Sequence, residues 1–144
     1  MTDRPRAVLD TNIFVSALLS RNPSSPTQEL IRRWESGEFT LLVSDTLIDE
    51  LTDKLLEKRV TEERVTELLG LLIRLAEWVE VPSGSVEAVV KEDADDDAVL
   101  ACAVIGRAGF LVTYDAHFDA VGPAHQGVRI MKAIPFLRVL RGNE

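Results

Sequence analysis

Acidic residues stand at four separated places in this chain, each beside a short apolar run. Asp10 closes the run Arg6-Ala-Val-Leu9 and is followed by Thr11 and Asn12. Glu50 lies in SDTLIDEL, Asp96 and Asp97 lie in VKEDADDDAVLACAV, and Asp115 comes two residues after FLVT. If these carboxylates meet, they repel: two unit charges ~4 Å apart cost about 4 kcal/mol at an effective dielectric near 20. A group of them stays ionised only if a cation neutralises it; otherwise some take up protons. Oxygen-only ligands select hard divalent ions, Mg²⁺ or Mn²⁺. Such an ion keeps part of its water shell, can activate a water and can grip a phosphate oxygen, which is the chemistry of metal-assisted phosphodiester hydrolysis.

Each acid also has a plainer explanation. Taken by itself, the run from Glu92 to Asp97 reads more readily as a solvated loop with a helix cap, because charge runs usually face water. Asp93, Asp95 and Asp97 have the spacing of a calcium loop, but Ala98 and Val104 stand where that loop needs Gly and Glu, which rejects it. Asp10 could end a strand in a turn, and Asp115 could cap a short helix over 116–120. Glu50 shares its helix with Asp45, Asp49 and Asp53, most of which should be surface charge. Only their occurrence together lifts the four.

The elements that must position them alternate between strand and helix. Arg6–Leu9 is a strand, and Ile13–Ser20 looks like a first helix. Ser25 caps the next, with Pro26 at its first position, Gln28 placed for a capping box, a stripe of Leu30, Ile31 and Trp34, and Gly37 to end it. Phe39–Val43 is the second strand. Ser44 caps a helix carrying Leu47, Ile48, Leu51 and Leu55, and Thr61 opens a longer one through Trp78 with Val65, Leu68, Leu69, Leu72, Leu75 and Ala76 inward. Trp78–Val81 reads as a third strand, and Asp97–Arg107 as a helix apolar on every side from Val99 to Ile105. Phe110–Thr113 and Val128–Met131 are the last strands, and a short helix starts near Pro135. This alternation predicts an α/β, three-layer α/β/α domain with a central parallel sheet, the Ser44–Trp78 pair forming a helical hairpin insertion. In such sheets the functional crevice lies beyond the carboxyl ends of the strands, where Asp10 and Asp115 fall.

The 144 residues fit one domain over 1–144, with 46% hydrophobic and 28% charged residues marking a globular chain. No apolar run approaches the ~18–20 residues that span a bilayer, and MTDRPRAVLD is no signal peptide. With the single Cys102, this predicts a cytoplasmic protein without membrane association. Cys102 lies in an apolar helix and reads as a packed thiol. Trp34 and Trp78 read as core, and His117 and His125 are too few and too separated for zinc. No Gly-rich phosphate loop is present, so no nucleotide cofactor is expected. The formal net charge of −8, from 16 basic and 24 acidic residues, argues against binding that works by neutralising many phosphates. A metal-filled pocket offsets that charge, and Arg32, Arg33, Arg107, Arg129 and Lys132 are candidates for gripping a polyanion.

With these residues in place, the sequence resembles the PIN-domain ribonucleases, and most closely their VapC-like toxin branch. The resemblance rests on VLDTN, SDTLIDEL, DADDDAVLACA and FLVTYD in that order, with a closing VRIMKAIPFLRVL, and spans nearly the whole chain. It implies a Mg²⁺- or Mn²⁺-dependent endoribonuclease hydrolysing RNA phosphodiester bonds, a homodimer, and silencing by a cognate antitoxin protein. Carried over position by position, it implies metal ligation at Asp10, Glu50, Asp97 and Asp115, with Asp96 as a further or alternative ligand. Asn12 and Thr113 would support the site by hydrogen bonds. The sequence departs from the family pattern in having Tyr114 where a small residue is common. A rival expectation is a catalytically weak interaction module binding an antitoxin-like peptide, whose Arg or Lys would neutralise the acids.

Overall fold

A computed structural model describes residues 4–82 and 94–142, with the side chains of 94–96 excepted. The chain runs β1 (Arg6–Leu9), α1 (Thr11–Leu19), α2 (Pro26–Glu35), β2 (Thr40–Val43), α3 (Asp45–Glu57), α4 (Glu62–Leu75) and β3 (Glu77–Trp78). It continues with α5 (Ala94–Ile105), β4 (Phe110–Val112), a short 3-10 helix (Ala116–Ala120), β5 (Ala124–His125), β6 (Val128–Met131) and α6 (Ala133–Leu140). Among the described residues the strands form one six-stranded sheet in the order β3-β2-β1-β4-β6-β5, parallel except for β5 against β6. Helices flank it in a three-layer α/β/α arrangement, as the alternating pattern predicts.

The order of the strands locates the crevice. From β1 the chain steps outward through β2 to β3, then returns to place β4 on the other side of β1. The direction of winding reverses between β1 and β4, and the carboxyl ends of two such neighbours splay to leave a binding crevice. Asp10 and Thr113 are the first residues beyond those two ends. The backbone N–H of Asp10 still donates to Val112 O at 2.9 Å, so the ladder holds up to the lip of the crevice.

Local chemistry sets the helix starts. Asp10, Ser25, Ser44 and Thr61 cap α1 to α4, each side chain accepting a backbone N–H of the first turn. Helix α1 therefore starts at Thr11, two residues before the sequence expectation, because the acid at the strand end also caps the helix. The Gln28 capping box does not close: its amide donates instead to Ala17 O and Ser20 O, at 3.1 and 2.8 Å, fastening α2 to the end of α1.

The core joins both helix layers to the sheet, with Leu41, Leu42, Leu47, Leu51, Leu55, Leu72 and Leu111 fully enclosed. Phe136 of α6 meets Phe39 edge-on and Phe110 at a tilt, with centroids 5.2 and 5.1 Å apart. At the amino ends of the strands, Arg6 forks onto Glu77 at 3.0 and 2.6 Å and reaches Gly106 O at 2.7 Å. That clamp pins the C-terminus of α5 to the bottom of the sheet. Gly106 is required there, since a Cβ would lie 2.5 Å from Leu42 Cδ2 and 2.8 Å from Cys102 O.

Three expectations need correction. Trp78 is not core: it is 42% exposed, and its indole N–H donates to Asp45 Oδ1 at 2.7 Å. It sits on a two-residue edge strand that ends before Val81, where too little surface lies opposite to enclose a ring. Leu75 does not turn inward: as the last residue of α4, at the end of its packed face, it is 45% exposed. The apolar wrap of α5 ends early, with Ile105 at 37% exposure.

Candidate metal centre

Asp10 is 2% exposed, and its carboxylate is held from three directions. Oδ1 accepts the Thr11 N–H at 2.7 Å; Oδ2 accepts the Thr113 hydroxyl at 2.7 Å and, more weakly, the Asn12 amide at 3.4 Å. Burial pushes the Asp10 pKa above its ordinary value. The hydrogen bonds from Thr113 and Thr11 and the positive charge of Lys54 oppose that rise, while the negative charge of Asp115 adds to it. A buried acid with a raised pKa beside a second acid is an arrangement a cation relieves.

Thr113 and Asn12 stitch the two strand ends together. The Thr113 hydroxyl that donates to Asp10 also accepts the Asp115 N–H at 3.0 Å, and Asn12 Oδ1 accepts the Tyr114 N–H at 3.2 Å. Asp115 in turn caps the 3-10 helix through the His117 N–H at 3.0 Å, and the His117 ring lies 3.3 Å from the same Oδ1. Here the plain and the chemical explanations coincide: capping fixes the carboxylate at the crevice.

Glu50 differs from its neighbours on α3. Asp45, Asp49 and Asp53 are exposed, whereas the Glu50 side chain is only 10% exposed. Its Oε1 lies 2.7 Å from Lys54 Nζ and 3.5 Å from Thr11 Oγ1, and Lys54 also donates to Thr11 Oγ1 at 3.2 Å. Thr11 and Lys54 thus bridge the Glu50 and Asp10 sides.

Asp97 is 8% exposed, in the first turn of α5. The Arg6 clamp holds the far end of that helix at the amino ends of the strands. A twelve-residue helix extends about 18 Å, so its N-terminus lies toward the carboxyl ends. The side chain of Asp96 lies outside the described residues.

The structure therefore links Asp10, Asn12, Thr113 and Asp115 directly, and joins Glu50 to them through Thr11 and Lys54. Among the described residues, no three His, Cys, Asp or Glu side chains gather closely enough to grip an ion as they stand. The chemistry of the donors still fits a hard divalent ion: all four candidates are carboxylates, three of them nearly enclosed. Sequence reasoning passed over Lys54, gave Thr11 no role beyond its place in the first motif, and read His117 as a surface or satisfied histidine rather than a crevice residue. Lys54 had a signal, since a cation four residues after a glutamate shares its helix face.

Among the basic candidates, Arg33 is engaged by Glu29 and Glu38, Arg32 donates to Pro23 O, and Arg129 lies over the Phe110 ring. Lys132 lines a cleft of about 360 Å³ with Thr113, Tyr114, Asp115, Asp119 and Met131, beside the candidate centre. Cys102 is a packed thiol, fully buried, its pKa pushed up to about 11 by burial. Among the described residues, no helix is long and apolar enough to cross a membrane.

Comparison with known proteins gives the architecture a lineage. Residues 6–117 match the PIN domain family. VapBC2 from Rickettsia felis, solved bound to a DNA fragment from its promoter, superposes with a TM-score of 0.60 at 17% identity, over 87% of this chain and 96% of that one. VapC20 from Mycobacterium tuberculosis, a toxin that cleaves the Sarcin-Ricin loop, superposes with a TM-score of 0.60 at 15% identity, over 85% and 98%. No curated protein matches.

Proposed function

Because this chain belongs to the PIN domain family, we propose that it is a Mg²⁺- or Mn²⁺-dependent endoribonuclease, the toxin of a cytoplasmic toxin–antitoxin pair. One observation carries the reading: a buried carboxylate, Asp10, shares the Thr113 hydroxyl with the loop that presents Asp115, at the reversal point of the sheet. Asp10, Glu50, Asp97 and Asp115, with Asp96, would hold the ion. The ion would supply positive charge for the phosphate oxygens and activate water for hydrolysis.

The chain's own part is to hold and orient. Thr113 and the Thr11 N–H fix both Asp10 oxygens, so the acid enters the reaction without reorganising. Asp115 is fixed by its cap on the 3-10 helix. The enclosed floor under Asp10 excludes bulk water and strengthens every charge interaction above it. Lys132 and Tyr114 line the neighbouring cleft; on this reading the ammonium would meet a phosphate of the RNA strand and the ring a base.

The VapBC2 neighbour supports a cognate antitoxin as partner, and the proposed unit is a single nuclease domain over residues 1–144, acting as the homodimer that the family resemblance implies. The test is cleavage of a mixed RNA pool with Mn²⁺, by the wild type and by Asp10→Asn. Cleavage by the wild type alone is the expected result. Equal cleavage by both removes the assignment, and none by either favours the catalytically weak interaction module.

A further inference from the structure

Lys54 is the feature that the nuclease reading leaves unexplained. It follows Glu50 by one helical turn, and its Nζ lies 2.7 Å from Glu50 Oε1 and 3.2 Å from Thr11 Oγ1. A surface pair at this spacing holds two solvated groups and matters little. Here the Glu50 side chain is 10% exposed and the Lys54 side chain 42% exposed, so an ammonium on a solvent-reaching stem is inserted toward an enclosed acid. Thr11 is the residue after Asp10, so the same ammonium serves both sides of the pocket.

Resting on the nuclease reading, we propose that Lys54 is a tethered counter-cation. It occupies the Glu50 side of the carboxylate pocket until a divalent ion displaces it, and so raises the ion concentration at which the centre fills. Three features carry this. The lysine head is a compact point charge on a flexible four-carbon stem, able to enter and leave without moving the backbone. An ammonium held 2.7 Å from Glu50 Oε1 already offsets the charge of that carboxylate and repels a divalent ion approaching it, so the two cations compete for one acid. A berth for the displaced head exists as well: outward along α3, Asp49, Asp53 and Glu57 line a shallow acidic groove with Glu50 and Lys54 themselves. The exchange is between cations at one site, and no proton transfer is needed.

The experiment is calorimetric titration of the full chain with Mn²⁺ alone, near neutral pH and at fixed salt, with melting curves in chelator. Lys54→Met keeps the stem and removes the charge; Lys54→Gln is the second variant should Met fail to fold; Lys54→Arg retains the charge. The expected result is Mn²⁺ binding about tenfold tighter in the neutral variants, since removing one partner leaves an uncompensated acid. Their melting temperature in chelator should fall, and the Arg variant should resemble the wild type. Unchanged or weaker Mn²⁺ binding in the neutral variants overturns the role of Lys54, yet leaves the nuclease reading intact if Asp10→Asn still abolishes binding. Absence of Mn²⁺ binding in the wild type and in every variant overturns both.

Discussion

The Thr113 hydroxyl lies 2.7 Å from Asp10 Oδ2, although the two residues are 103 positions apart, and it accepts the Asp115 N–H with its lone pair. One oxygen therefore orients one acid and braces the loop that carries another. The bond is also the main influence holding down a carboxyl that burial drives upward.

Thr113→Val keeps the shape and removes both hydrogen bonds. It should destabilise the protein by about 1–3 kcal/mol, the usual cost of leaving buried polar partners unsatisfied. RNA cleavage should fall by about ten- to a hundredfold, through kcat more than KM, because the acids lose orientation before the substrate grip changes. Urea melts and steady-state cleavage of a labelled RNA check the two halves.

Asp10→Asn should abolish Mn²⁺-dependent cleavage yet stabilise the metal-free protein at neutral pH. The folded Asp10 holds its proton to higher pH than the ordinary value of 3.8, chiefly through burial. Between those two values the folded chain is protonated where the unfolded chain is not, so stability falls as pH rises through that window. Above the window the ionised acid destabilises the fold; below 3.8 the contribution is restored in full. The melting-temperature gain of Asp10→Asn should therefore be large at pH 7 and vanish at pH 3, measured in chelator.

Gly106→Ala should cost about 1–3 kcal/mol, as overpacking of a filled core does. The added methyl meets Leu42, Val79 and the Cys102 carbonyl at once, and the carbonyl cannot yield. Metal affinity should be little changed, because the lesion lies at the opposite end of α5 from Asp97. A denaturant midpoint shift without loss of Mn²⁺ binding is the expected pair of observations.

Cys102 should resist thiol reagents at pH 8 in the native protein. Its pKa of about 11 and full burial leave neither thiolate nor access. A chromogenic disulfide should titrate one thiol per chain only after unfolding.

Much of this arrangement could be read before any coordinates. Asp10 and Asp115 were legible because each follows a short apolar run, and the reversal of strand order then sets those two ends side by side. Glu50 lies one residue out of phase with Leu47 and Leu51, which allows it the edge of the apolar face, and its 10% exposure agrees with that phase. Lys54 was hidden because a flexible side chain near an acid looks the same in sequence whether it faces water or a pocket. Trp78 misled because hydrophobicity tells what a ring prefers, not whether an edge strand has anything to cover it. β5 was missed since two residues, Ala124 and His125, carry no periodicity.

Among the described residues, both margins of the sheet are only two residues long, Glu77–Trp78 on one side and Ala124–His125 on the other. A foreign strand that tried to extend the ladder would find about two residues of open backbone on either flank, too little to seed a fibril. Folded molecules at high concentration should therefore not join sheet to sheet along these flanks.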